Sequence, residues 1–146
     1  MSSTRFRMLL VVLATALGLV LTEAQAMYAR MSDAQLIAAS DLIVLGTLTG
    51  SAMKQGAEGQ RLVGLLKVSK TLKGGKGTVT IWLAVPQPGG LQTSSDIAFS
   101  RGQSGLWFLR RLAGTGRAVY AADHPQRFVP QPQAEDAARA VSEALK

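Results

Sequence analysis

The sequence predicts a small, closed all-β barrel flanked by a short helix on each side. Apolar and polar residues alternate with a period of two through several short stretches, the spacing at which strand side chains share a face. Clusters of glycine, proline and serine separate those stretches and supply the turns between strands. Helical signals stand only before the first strand and after the last, an order that suits strands wrapped into a barrel with a helical edge.

In chain order, Arg5 and Arg7 precede an apolar run from Met8 to Leu21, interrupted only by Thr15 and Gly18. Ala24-Gln25-Ala26 then supplies the small-x-small pattern of a signal-peptidase site. The run is shorter than the roughly 20 apolar residues a membrane span needs. Residues 1–26 therefore read as a secretory signal peptide cut after Ala26, and the mature chain is expected to be secreted or periplasmic with no stable membrane span. What remains suits one domain, with a barrel over 27–130 and a carboxy-terminal helix over 131–146.

Ser32-Asp-Ala-Gln35 is a capping box opening a short helix over Asp33 to Ser40. Asp41 to Thr49 is the first strand, apolar on both faces at its centre, so the barrel interior and the preceding helix must cover it on two sides. Gly46 marks a bulge or a close backbone approach. Gly50 to Gln60 reads as a polar loop. The stretch from Arg61 to Gly77 organises the rest: Leu62, Gly64, Leu66 and Val68 share one face, Arg61, Val63, Leu65, Lys67 and Ser69 the other. Beyond Val68 the alternation fails, and Lys70, Lys73 and Lys76 gather around glycines that permit a sharp turn. This is a long, bending strand that ends in a basic turn.

Thr78 to Ala84 is the third strand, with Val79, Ile81 and Leu83 on one face and Thr78, Thr80 and Trp82 on the other, stopped by Pro86 and Pro88. Pro86 to Ser104 is a long connection anchored only by Leu91, Ile97 and Phe99. Gly105 to Leu112 is the fourth and most apolar strand, Ala113 to Gly116 turns it into a fifth over Arg117 to Ala121, and Gln126 to Val129 is a short sixth strand or edge. After the linker Pro130 to Gln133, a helix over Ala134 to Leu145 carries a mild apolar stripe of mostly alanine.

This order of features resembles a known family. A short helix runs into Ser40-Asp-Leu-Ile-Val-Leu-Gly-Thr-Leu48; then come Val68-Ser-Lys-Thr-Leu-Lys-Gly74, a Val-Thr-Ile strand, Phe99-Ser-Arg-Gly102, Leu106-Trp-Phe-Leu109 and Tyr120. Together, over Met31 to Val129, they resemble the netrin-like module of tissue inhibitors of metalloproteinases and of small exported bacterial relatives. The resemblance implies a five-stranded OB-type Greek-key barrel that acts by binding. In the inhibitors, an amino-terminal cysteine sets its amine and carbonyl on the protease zinc, and disulfides hold that arm down. Here Met27 and Tyr28 would form the arm, with no cysteine and no tether visible in the sequence. An untethered arm loses ordering entropy when it docks, so binding through the barrel surface is expected ahead of inhibition through the amino terminus.

Residue chemistry points the same way. The formal net charge of +7 falls only to +6 on removal of the leader, which carries Arg5, Arg7 and Glu23. Such a field favours polyanions or an acidic protein face, and export argues against nucleic acid; the expected partner is a protein or an anionic envelope component. The absence of cysteine excludes thiol nucleophiles, thiolate zinc sites and disulfides. His124 is the only histidine and reads as a turn residue between Asp123 and Pro125. Asp33, Asp41, Glu58, Asp96, Asp123, Glu135, Asp136 and Glu143 show no spacing that suggests a metal cage or an acid–base pair. Lys73-Gly-Gly-Lys-Gly-Thr78 lacks the first glycine of a phosphate loop, whose place Lys70 takes, and leads into a strand rather than a helix.

Lys67, Lys70, Lys73 and Lys76 form either a basic binding patch or a solvated edge that deters strand pairing. Trp107 reads as core. Trp82 is either a contact residue on the outer wall or lies under the carboxy-terminal helix, and Arg110 and Arg111 add a cationic rim. No catalytic residue, cofactor or metal is expected. A hydrolase with a cryptic site is the enzymatic alternative.

Overall fold

A computed structural model of the chain describes residues 29–56, 59–75, 77, 79–86, 99–114 and 117–146. The expected signal peptide, Met27, Tyr28, Lys76 and most of the Pro86–Ser104 connection lie outside them. The elements are α1 (Asp33–Ala38), β1 (Leu42–Gly56), β2 (Gly59–Lys73), β3 (Thr80–Ala84), β4 (Ser104–Arg111), β5 (Val119–Ala121), a 3-10 turn (Pro125–Arg127), β6 (Phe128–Pro130) and α2 (Gln133–Ala144).

Strands neighbour one another in the order β1-β2-β3-β5-β4, and β4 returns to β1, which closes the barrel. Every pairing is antiparallel except β3 with β5. This is the expected five-stranded OB-type barrel with two flanking helices. Short β6 adds to β4.

Alternation sorts the apolar residues into two cores. Leu42 and Val44 of β1 meet Trp107 and Leu109 of β4, Leu66 of β2, and Ile81 and Leu83 of β3 in the interior. The intervening Ile43, Leu45, Leu106 and Phe108 point outward and are covered by Leu36 of α1 and by Ala134, Ala138 and Val141 of α2. This explains why β1 and β4 are apolar on both faces. The small stripe of α2 lets its backbone approach β4 and β6 closely. Trp107 is wholly buried; its indole Nε1–H donates to the Gly46 carbonyl at 3.1 Å, and its ring packs between Phe99 and Phe128.

The capping box forms as expected. The Gln35 amide donates to Ser32 Oγ at 3.3 Å, and the Ser32 amide to Gln35 Oε1 at 2.9 Å. Gly46 is both a bulge and a close approach, since the register shifts between Leu45 and Gly46 and a Cβ there would stand 2.7 Å from the Lys67 carbonyl.

Two stretches differ from expectation. Most of the polar loop expected over Gly50–Gln60 is strand, because β1 and β2 stay paired from Gly50↔Leu65 out to Gly56↔Gly59. A ladder needs a partner backbone, not an apolar face, so the hairpin extends past the barrel. Val79 is 66 % exposed instead of sharing a face with Ile81 and Leu83. β3 begins at Thr80, two residues later than expected, and Val79 contributes its carbonyl, which accepts from the Val68 amide at 2.9 Å.

Arg127, in the 3-10 turn, is the one charged side chain taken into the fold among the described residues. Its Nη1 donates to Ser40 Oγ at 3.1 Å and to the Phe108 carbonyl at 3.3 Å, its Nη2 to the Ala39 carbonyl at 3.3 Å, and its Nε lies 3.2 Å from Asp123 Oδ1. The end of α1, the middle of β4 and the 3-10 turn are thereby pinned together. The open carbonyls at a helix end need such donors.

Candidate functional site

On the outer wall of β2, β3 and β5, among the described residues, the carboxy-terminal helix touches β2 only slightly, with Leu72 packed against the outer core, and has no comparable contact with β3 or β5. In register, Val63 lies opposite Ala84, Leu65 opposite Trp82, Lys67 opposite Thr80, and Trp82 beside Val119. Residues paired this way share a face, so Trp82 stands at the centre of that wall. This is the first of the two placements its alternation allowed. Helix α2 lies on β4 and β6 instead, where its buried residues meet Leu106 and Phe108.

Trp82 is half-buried, and what covers it is cationic. The Lys54 ammonium sits 3.4 Å above the centre of the indole, and the Arg117 guanidinium carbon lies 5.3 Å from it. Both are within cation–π range. Lys54 comes from the hairpin extension, opposite Arg61, and its stem crosses β2 to reach β3. Its Nζ is shielded from water and makes no hydrogen bond to the described residues. Desolvation against the ring, and then the nearby Arg117 charge, pull the Lys54 ammonium below its ordinary lysine value.

The lysines of the basic stretch go to separate places. Lys67 is exposed on the Trp82 wall beside Thr80. Lys70 is exposed opposite Leu45. Lys73 is engaged in the fold, its Nζ donating to the Ile37 carbonyl at 2.8 Å. Lys76 lies outside the described residues. Arg110 donates to Asp123 at 2.6 Å, a hydrogen bond that raises the guanidinium above its ordinary value. The Arg111 amide donates to Asp41 Oδ2 at 2.7 Å, while its side chain is exposed.

Burial pushes the Asp123 carboxyl up, but the Arg110 hydrogen bond and the charges of Arg110 and Arg127 outweigh it and hold the group below its ordinary range. His124 Nδ1 accepts from the Gln126 amide at 3.2 Å and so caps the 3-10 turn, the turn role its neighbours suggested. Among the described residues, no three histidine or carboxylate side chains gather as metal ligands would, and no helix is long and apolar enough to cross a membrane.

Two further features bear on function. A hollow of about 590 Å³ opens between the hairpin and the end of β3, lined in part by Leu48, Leu62, Gly64, Phe99 and Arg101. The amino-terminal arm also has an anchor that the sequence did not show. The Met31 amide donates to Gln126 Oε1 at 2.8 Å, and Gln126 Nε2 donates back to the Met31 carbonyl at 3.0 Å. The chain is held from Met31 onward, just behind the arm expected at Met27 and Tyr28.

No family model, curated protein or solved structure matches this chain. The chemistry of the wall itself therefore carries the functional reading. Sequence reasoning singled out Trp82 but missed Lys54 and Arg117. Lys54 stood in a stretch read as loop, and its only signal was the faint alternation that places Ala52 and Lys54 on one face.

Proposed function

We propose that this chain is an exported, non-enzymatic binding module, a netrin-like OB-type barrel that engages an anionic envelope component or an acidic protein face. The contact surface is the wall around Trp82. One observation carries this reading: a half-buried indole beneath Lys54 and beside Arg117, with a lysine ammonium that makes no hydrogen bond to the described residues. A cation left in that state gains from an incoming acceptor. The net positive charge brings anions to the surface. Protein beginning at Met27 is expected to elute from a heparin-type matrix at clearly higher salt than its Lys54→Ser/Arg117→Ser variant. Equal elution would remove the reading.

A second reading, metalloprotease inhibition through the amino terminus, is supported by the Gln126 clamp on Met31. A fixed chain behind a short arm lowers the entropy lost when the arm docks. It predicts that protein starting at Met27 inhibits a zinc metallopeptidase and that one extra residue before Met27 abolishes the effect. Absence of inhibition by the unextended protein rules it out.

A further inference from the structure

We propose that the open edge of β1 pairs, antiparallel and about a two-fold axis, with the same edge of a second copy of this chain. The inference goes beyond the anion-binding reading and does not depend on it.

β1 has two neighbours only along its first half. It pairs with β4 over Leu42–Thr47, and Leu48 adds bonds to Gln103 and Gly102. A register shift between Leu48 and Gly50 then marks a bulge, which bends the strand and ends that pairing. From Gly50 to Gly56 the strand stays on β2 alone among the described residues. Which backbone groups face outward follows from alternation. The Val68 amide donates to the Val79 carbonyl, so even-numbered residues of β2 turn to β3 and odd-numbered ones to β1. Arg61, Val63 and Leu65 therefore exchange bonds with Lys54, Ala52 and Gly50. The amides and carbonyls of Ser51, Met53 and Gln55 point the other way, where no described residue meets them.

Such an edge is a template for another strand, and proteins guard theirs with proline, charge or a cover. β3 is followed by Pro86, and β6 ends at Pro130. The β1 edge has no proline, and its one charged residue, Lys54, lies on the Trp82 ring.

The residues along the edge select a second copy as its occupant. With Met53 on the axis, Met53 meets Met53 of the second copy, Ser51 meets Gln55, Ala52 meets Lys54 and Gly50 meets Gly56. All the outward-facing residues exchange backbone bonds in this register. The Met53 side chain, 58 % exposed in the single chain, is buried against its equivalent. Each Lys54 falls opposite an alanine, so no like charges stand directly opposite and neither lysine leaves its ring. A foreign strand has to supply a matching apolar residue at that place, whereas a second copy brings it by symmetry. An axis perpendicular to the sheet also sets both Lys54–Trp82 faces on one side of the joined sheets.

Sedimentation velocity of protein beginning at Met27 tests this. The apparent mass is expected to rise toward that of a dimer over about a hundredfold range of concentration, as suits a small interface. Both copies carry net positive charge, so added salt is expected to strengthen the association, opposite to its effect on anion binding. Met53→Pro removes an outward-facing amide that β2 does not use, and is expected to weaken association about tenfold or more with little change in thermal midpoint. The chain has no cysteine, so Met53→Cys gives one thiol per copy, and opposite residues about 5.5 Å apart at Cα lie within disulfide reach. Under mild oxidation this variant is expected to form a covalent dimer, whereas Val79→Cys, at an exposed position away from the edge, is not. Association unchanged by Met53→Pro, or equal cross-linking of the two cysteine variants, overturns the proposal. A chain that stays monomeric at every concentration and salt also overturns it and leaves the edge to a strand of another protein. The concentration series uses unaltered protein, so a proline variant that fails to fold leaves the test decisive.

Discussion

Arg127 and Lys54 are both cations drawn away from water, and they are treated in opposite ways. Around Arg127 the fold supplies Ser40 Oγ, the Ala39 and Phe108 carbonyls and the Asp123 carboxylate. Around Lys54 it supplies an indole and a second cation. A cation enclosed by matched oxygens is committed to stability. One resting on a ring beside a like charge keeps its hydrogen-bonding capacity for something else. The difference separates the part of the molecule that holds the barrel together from the part that the proposed partner would meet.

The largest effect expected from this contrast is at Arg127. Arg127→Ala strands the Phe108 and Ala39 carbonyls, leaves Asp123 without its buried partner and opens a cavity. The variant should lose about 3–5 kcal/mol of stability in urea unfolding. Lys54→Ala should shift the urea midpoint far less. Equal losses would show that the two cations do the same work and would break the comparison.

A pair of glycines tests the same division through packing. A Cβ on Gly105 would run into the Val129 carbonyl and the Phe128 ring where β6 crosses β4, whereas one on Gly50, opposite Leu65 near the Trp82 wall, meets nothing within 4 Å. Gly105→Ala should cost about 1–3 kcal/mol through overpacking, and Gly50→Ala should stay within about 0.5 kcal/mol of the parent. Thermal unfolding of the two variants checks the ranking.

Acid should act on the committed region through Asp123. Its carboxyl is held below the ordinary value, so its contribution is fully present at neutral pH and is lost as pH falls through the lowered folded value, beneath the ordinary aspartate pKa of about 3.9. Because the side chain is 44 % exposed, solvent screens that contribution to about 1 kcal/mol. Asp123→Asn should lower stability at pH 7 and flatten the decline below about pH 4, as followed by urea midpoints across the acid range. An unchanged acid limb would place the decline on other carboxylates.

How much of this was legible in the sequence follows from what each feature needs. The alternation of Leu42 and Val44 against Ile43 and Leu45, repeated in Leu106 to Leu109, depends only on the two faces of a strand, and it announced both cores. The outward side of Trp82 followed from the same rule. The position of α2 did not, because a stripe of alanines fits many apolar faces and contact with β4 and β6 selected one. The hairpin extension was hidden because Ser51 to Gln60 has no apolar face, and its order comes from a partner strand. Arg127 and Lys54 were harder still. A cation in a turn or loop reads as solvated, and only oxygens or a ring brought from distant strands make it otherwise. The Trp82 wall was therefore half visible, since the aromatic at its centre could be read and the charges around it could not.

The smallest expected effect is also the most direct view of the open wall. Lys54 covers the indole without a hydrogen bond to any described residue, so Lys54→Ala should uncover Trp82 while leaving the fold intact. Acrylamide quenching separates the two tryptophans, because Trp107 is wholly buried and stays shielded in both proteins. The quenchable share of the emission should rise in Lys54→Ala, with a thermal midpoint close to that of the parent. An unchanged quenchable share would mean that the lysine does not occupy the ring in solution, and the distinction between a committed cation and an available one would lose its second half. A rise matched by a large fall in midpoint would mean that Lys54, like Arg127, holds the barrel together.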